Sequence, residues 1–496
     1  MKTTRVGRGF RGAAGLGALL VFLALSTGAG CVPDRQPANR TDPAAAATES
    51  RIPQLALTIP PFNAAQDGYV LLAWNDLGMH CISDADKYWI LLPPANTLWA
   101  QLIQRGPKPR IVTEGVVLEY RPEPGFETPS KHTDFWKYAK FFFGKELPLD
   151  TGLAGKKVSG TMDLKSGAGS FTAELIPVVP YTDMDTFNPY PVFTIVAKEA
   201  STGRVLAETK TVAPVSTEMG CKNCHGGEMR FKGIAGLGDT TARNILITHD
   251  RLNDTALADS AAEGKPTLCQ SCHGDPALGA AGKAEVLSLS AAMHGWHAQK
   301  MPGRGADACA KCHPNEPMGY TRCLRGIHDR MNQNCTDCHG TLEDHALSLL
   351  KKEKERGKAA AGPLMEGTSP RMAPSLADIN PRDPWLNEPD CLNCHANFMK
   401  PADGVKGFNK WTGGPTELYR MRAAGGGVMC SACHGSTHAV YPARNPYGPN
   451  RDNIEPMQYQ GSPYAIAANE GCAVCHREDM EKELHHPNLL RAVRNP

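Results

Sequence analysis

The chain has 496 residues, with 53 Lys and Arg against 51 Asp and Glu, and the formal charge of +2 gives no electrostatic case for nucleic acid as a partner. That length predicts two or three domains, and 49 Gly with 39 Pro predict many loops without reaching the low-complexity range. No Gly-rich phosphate loop, Ser-His-Asp arrangement or His-Glu-x-x-His occurs, which removes the commonest hydrolase and nucleotide-binding classes.

Lys2, Arg5, Arg8 and Arg11 precede an apolar run from Ala13 to Leu25, too short for a comfortable membrane span, so residues 1–30 read as a signal peptide. The run ends Thr27-Gly28-Ala29-Gly30-Cys31, which resembles the lipobox of bacterial lipoproteins, although Gly28 stands where leucine is usual. The resemblance implies an exported outer-membrane lipoprotein, facing periplasm or cell surface, that meets the membrane through a lipid on Cys31. An ordinary cleavage site at the same glycines, leaving a soluble periplasmic protein, is the alternative. Residues 31–55 read as anchor and tether, because Val32 to Gln54 is rich in Pro, Ala and polar residues without periodicity.

Residues 56–215 form a β-rich, sandwich-like domain on this reading. Strands are predicted from Tyr69 to Trp74 and from alternation at Val116, Leu118, Tyr120, then at Val158, Gly160, Met162, Leu164, then at Phe171, Ala173, Leu175. Lys165 to Gly169 turns one run into the next, and Ser201-Thr202-Gly203 joins Phe193–Lys198 to Val205–Val212. One amphipathic helix is expected at Phe135–Phe143. The run Trp74-Asn75-Asp76-Leu77-Gly78-Met79-His80-Cys81 offers soft ligands for copper or a haem cap, or else a tight turn.

Beyond Val215 the pattern becomes loop-rich and mainly α, and Cys-x-x-Cys-His occurs seven times: Cys221/Cys224/His225, Cys269/Cys272/His273, Cys309/Cys312/His313, Cys335/Cys338/His339, Cys391/Cys394/His395, Cys430/Cys433/His434 and Cys472/Cys475/His476. Two cysteines three apart face one side of a helical turn, so both sulfurs can form thioethers to one porphyrin, and the following His supplies a proximal imidazole. Zinc and thiol-redox sites do not require that histidine, and its presence in seven copies of seven points to seven covalent haem c groups. Two propionates on each would take the formal charge from +2 to −12 with ferrous iron, or to −5 with ferric, when all are ionised. Helices are expected at Glu285–His297 and Leu349–Lys358, followed by a Pro-rich connection to Pro389. That longest interval divides the region into residues 216–360, with haems one to four, and 361–496, with haems five to seven.

Ten histidines lie outside the motifs, only His80 and His132 of them in the first 220 residues. The density beyond favours His249, His294, His297, His328, His345, His438 and His485 as distal iron ligands, with His486 or its neighbour spare. His294 and His297 share a helix face and could serve two haems. Eight candidates for seven irons allow complete bis-histidine ligation, which closes the coordination site that substrate chemistry needs. The methionines near motifs, such as Met301 and Met429, read as core filling. Cys81 and Cys323 are left over: a disulfide, two free thiols or one thiolate ligand are all open.

The motifs, export signal and β-rich head together resemble the large multihaem c-type cytochromes of respiratory bacteria, over residues 56–496, and the run Trp74 to Cys81 is similar to an N-terminal module of some of them. The resemblance implies electron relay, in anaerobic respiration, to other cytochromes or redox proteins, to outer-membrane porin-cytochrome partners or to an extracellular acceptor. Multihaem nitrite reductases carry Lys in place of the motif His at one haem, and no Cys-x-x-Cys-Lys occurs here. An oxidoreductase with one open-site haem and a subunit of a conducting filament remain as alternatives.

Overall fold

The computed structural model describes residues 52–489 apart from Leu77, Ser166, 316–318, Asp479, Glu481 and Glu483, so the leader, Cys31 and most of the tether lie outside the described residues. The N-terminal region is built from β1 (Tyr69–Asn75), β2 (Asn96–Gln104), β3 (Val116–Pro122), β4 (Asp163–Lys165), β5 (Ser170–Ile176), β6 (Val192–Glu199) and β7 (Val205–Val212). One antiparallel sheet runs β1-β2-β5-β4 with Arg110–Ile111 added against β2, and a second runs β7-β6-β3 with Gly160–Thr161 at its edge. Leu71, Leu98 and Leu102 of the first sheet share one core with Leu118, Phe193 and Ile195 of the second.

The predicted run Val158 to Leu164 is divided between the sheets. Gly160–Thr161 pairs with β3, Asp163–Lys165 pairs with β5, and Met162 turns into the core between them with its N–H on Leu118 O at 2.9 Å. The expected alternation in β5 also shifts at its end. Leu175 takes φ +48° beside a register break, and Ile176 is the buried residue instead. Helix α1 (Phe135–Phe143) forms where expected, burying Phe135, Trp136, Ala139 and Phe142 and ending at Gly144 in the left-handed region.

β1 is buried on both faces. Val70, Leu72 and Trp74, pointing away from the shared core, pack with Trp99 against Met429, just before the sixth Cys-x-x-Cys-His motif, and against Ala432 and Val474 inside the sixth and seventh. Its free edge is hydrogen-bonded by the C-terminal region. Tyr459 Oη accepts from Leu71 N at 3.1 Å and donates to Leu71 O at 2.7 Å, Glu455 accepts from Ala73 N, and Ser436 Oγ accepts from Asn75 N at 3.3 Å. An edge strand that would otherwise invite a foreign strand is thus closed by its own chain.

The run Trp74 to Cys81 is a turn. Asn75 Oδ1 accepts from Gly78 N at 2.7 Å, and Gly78, at φ +76°, lies where an added Cβ would meet the Thr437 carbonyl oxygen at 2.3 Å. Gly78→Ala is therefore expected to cost on the order of 1–3 kcal/mol from backbone strain, read as a lower thermal midpoint with unchanged cofactor content. Asp76 is partly buried with its Oδ1 inaccessible and unpartnered, and burial raises its carboxyl from 3.8 to about 6 against the opposing pull of Arg420. Between those two values the folded chain holds a proton that the unfolded chain has released, so this group's contribution to stability falls as pH rises from about 4 to 6 and stays low above. Asp76→Asn is expected to raise the thermal midpoint at pH 8 and to leave it nearly unchanged at pH 4.

After Val215 the chain becomes loops and short helices, the longer ones being α2 (Asp239–Asn253), α3 (Leu289–Ala298), α4 (Leu342–Glu355) and α5 (Ile454–Gln460). α3 starts four residues later than expected, with Ser288 at its N-cap, and α4 starts seven earlier, where the Thr341 side chain accepts from Asp344 N. The connection towards Pro389 includes a short helix at Ala361–Glu366. No described helix is long and apolar enough to cross a membrane.

Candidate metal centres

Each motif sits in a single helical turn. The histidine N–H returns to the first cysteine carbonyl at 3.0 Å in Cys221–His225, 3.0 Å in Cys269–His273, 2.9 Å in Cys309–His313, 2.8 Å in Cys391–His395 and 2.9 Å in Cys472–His476, while Cys335–His339 and Cys430–His434 are α-helical throughout. Two thiols and one imidazole are thereby carried on one short stretch of backbone, as the spacing predicts. At the fourth motif Asn334 and Asp337 close a capping box around the turn.

The histidines meet in pairs. Two imidazoles bound to opposite sides of one metal, each at about 2 Å through a ring nitrogen, place their ring centres about 6.3 Å apart. Ring centres are 6.4 Å apart for His273 and His249, 6.2 Å for His313 and His294, 6.1 Å for His339 and His438, 6.2 Å for His395 and His328, and 6.0 Å for His476 and His485. Every one of these pairs joins a motif histidine to a non-motif histidine. His297 lies within electrostatic reach of His225 and His486 within reach of His434, so a non-motif histidine is in the neighbourhood of these two motifs as well. Both His485 and His486 are engaged, the latter also stacked on Phe398 at 4.7 Å. Among the described residues no group of three or more His, Cys, Asp or Glu converges as a site for a bare ion.

The ring nitrogens are sorted to match. Nδ1 lies against Leu287 O at 2.9 Å in His273, Ser290 O at 2.8 Å in His294, Met293 O at 2.7 Å in His297, Met399 O at 3.2 Å in His395 and Gly425 O at 3.0 Å in His485. His249 Nδ1 is 3.0 Å from Thr255 Oγ1, and His438 Nδ1 is 3.8 Å from Cys323 Sγ. A backbone partner on Nδ1 fixes the tautomer and leaves Nε2 for a metal. His80 is the opposite case: its Nε2 is 3.0 Å from Pro93 O, and it sits on a two-residue strand paired with Val215. His132 lies beside Asp185 in the β-rich region, away from every motif pair. Burial lowers His294 and His339 to about 3 and His434 and His438 to about 4, so these imidazoles are neutral at pH 7, the form that ligates metal.

His345 differs from the other candidates. Its ring is 6.0 Å from His339 but only 4.4 Å from His294, and both its nitrogens face Arg382 Nη2, at 3.0 and 3.2 Å. His438, with one nitrogen left free, is the better partner for His339. Cys81 and Cys323 are both free thiols. Burial lifts Cys221, Cys269, Cys391 and Cys475 to about 12, which keeps them protonated and poorly suited to dithiol redox chemistry.

Thiols of different motifs approach one another. Electrostatic influence passes between Cys309 and Cys335, Cys312 and Cys221, Cys338 and Cys394, Cys391 and Cys430, and Cys433 and Cys475, and Gly220 N, beside the first motif, donates to Cys312 O at 3.1 Å. Six of the seven motifs thus neighbour one another in the order one, three, four, five, six, seven, and the second has no such thiol neighbour among the described residues. Sequence reasoning missed this order, since a spacing along the chain carries no direction in space. It also missed Arg382, a single arginine in a loop with nothing in its sequence context to single it out. Comparison with protein families, characterised proteins and solved structures gives no match, so the chain's own residues carry the functional reading.

Proposed function

We propose that this chain is an exported multihaem c-type cytochrome that binds seven haems covalently and relays electrons between redox partners. The observation that carries the reading is the set of five imidazole pairs with ring centres 6.0–6.4 Å apart, each joining a Cys-x-x-Cys-His histidine to a distant one. The cysteines Cys221, Cys224, Cys269, Cys272, Cys309, Cys312, Cys335, Cys338, Cys391, Cys394, Cys430, Cys433, Cys472 and Cys475 hold the porphyrins, and the motif histidines are the proximal ligands. The distal ligands are His297, His249, His294, His438, His328, His486 and His485 for motifs one to seven in turn. When bound, haem supplies one-electron chemistry at its iron.

What the chain contributes is distance and closure. Two imidazoles for each centre leave no coordination position for a substrate, which favours a relay over a catalyst. The neighbouring thiols of motifs one, three, four, five, six and seven support a path through six of the centres, with the second as a branch. α3 ties the path together, with His294 facing the third motif and His297 the first. We place the protein outside the cytoplasm, anchored through Cys31, exchanging electrons with other cytochromes, a porin-cytochrome assembly or an extracellular acceptor.

The test is a haem count on the full chain matured in a periplasm, by pyridine haemochrome absorbance and by intact mass after denaturation. Seven haems per chain that survive denaturation are expected. A chain that folds and retains no covalent haem contradicts the reading.

A further inference from the structure

Arg382 is a buried cation with no carboxylate partner among the described residues. Its side chain stacks 5.0 Å over Trp411, Nη1 reaches Asn387 O at 3.4 Å, Nη2 faces the His345 ring, and Nε has no hydrogen-bond partner at all. The nearby acids are committed elsewhere. Asp383 pairs with Arg356 at 2.7 Å, Glu343 with Arg371 at 3.1 Å and Glu353 with Lys358 at 2.7 Å, while Asp344 accepts from the backbone N–H groups of Arg371 and Met372. Burial acts on the guanidinium unopposed and lowers it to about 10. A charge taken out of water in this way needs a counter-ion.

The position of that counter-ion follows from what surrounds the guanidinium. Arg382 lies against His345, whose ring is 4.4 Å from His294 and 6.0 Å from His339, so it is close to both the pair His294–His313 and the pair His339–His438. His345 shares the spot without a metal-spanning role of its own. A guanidinium presents a planar fork of donors that matches a two-oxygen anion, and the free Nε belongs to that fork.

We infer that Arg382, flanked by His345, forms an anion site between the third and fourth Cys-x-x-Cys-His motifs, and that its ligand is a two-oxygen oxyanion: a porphyrin propionate or a small free oxyanion. The propionate source rests on the haem reading above; the site itself rests on the unpaired guanidinium. Removing the positive charge disfavours the reduced, more negative state of the adjacent centres, so their midpoints fall.

The experiment uses the full chain matured in a periplasm. Haem content is measured first, so that a failure of the haem reading is seen separately from a failure of this one. Redox titration then compares wild type with Arg382→Gln, with and without added sulfite. If propionates are the ligand, Arg382→Gln keeps seven haems, the reduced-to-oxidised ratio at fixed potential falls about tenfold for two of them, a shift of about 59 mV for a one-electron couple, and sulfite changes nothing in wild type. If a diffusible oxyanion is the ligand, sulfite shifts the wild-type midpoints and the response is lost in Arg382→Gln. Arg382→Lys keeps a charge but not the fork, and is expected to shift the same two ratios about threefold; it decides the matter should Arg382→Gln not mature. Seven midpoints unchanged from wild type in the variant that matures, with no sulfite response, overturn the site.

Discussion

Replacing His294 with Ala is expected to turn one haem of the seven from low-spin to high-spin ferric and to leave the other six low-spin. His294 is held on α3 with Nδ1 on Ser290 O at 2.8 Å, and its ring lies 6.2 Å from that of His313, with the planes 9° apart. No other described histidine is placed to substitute, because His345, the nearest at 4.4 Å, faces Arg382 with both ring nitrogens. Losing the distal ligand opens one side of the iron, so the variant should also bind cyanide at one site per chain where wild type binds none. His345→Ala is the informative control, expected to retain seven low-spin centres. Electron paramagnetic resonance of the two oxidised variants checks both statements. A high-spin centre in His345→Ala and none in His294→Ala would reverse the ligand assignment.

The full chain, exported in cells unable to attach haem, is expected to lose its fold throughout residues 216–489. Apolar clusters in that region are small and separate: one gathers Leu287, Leu347, Leu350 and Ile379 under α4, another Met301, Leu342 and Ala346. Between them lie partly buried imidazoles, among which His339 Nδ1 has no hydrogen-bond partner. Porphyrins would fill the space between these clusters, so without them the region has little apolar core of its own. Folding of this region would then depend on the cofactor being in place. The loss should reach the β-rich region too, because the edge of β1 depends on Ser436, Glu455 and Tyr459 for its hydrogen bonds. Limited proteolysis checks this: rapid cleavage from residue 216 onward in the haem-free chain, against resistance in the mature protein, is the expected contrast. A haem-free chain as resistant as the mature one would mean that the apolar clusters suffice.

The β-rich region was legible where side-chain alternation meets a single buried face, as in β3, and where a Gly-containing turn joins two apolar runs, as between β6 and β7. It misled at Val158 to Leu164, where one alternating run serves two sheets, since alternation says nothing of which neighbour a strand pairs with. The motif turns were fully legible, because the chemistry of attachment lies within five consecutive residues. Partner histidines were legible only as an excess of histidine beyond residue 220; which one faces which motif depends on contacts such as those from His438 to His339, far apart in sequence. The pairing of both His485 and His486 and the separate place of His345 beside Arg382 were hidden for the same reason. His80 carried the right residue type in a suggestive run and is held by a backbone carbonyl instead, a partner that no side-chain pattern records.

Low-temperature electron paramagnetic resonance on the fully oxidised, mature protein tests the central claim most directly. Bis-histidine ligation at all seven centres predicts low-spin ferric signals accounting for seven irons per chain, unchanged by nitrite, hydroxylamine or cyanide. The imidazole planes, 9° apart for His294 and His313 but 88° apart for His249 and His273, predict that these signals differ in anisotropy. A stoichiometric high-spin signal that shifts with an added ligand would contradict the relay and put an open, reactive iron in its place.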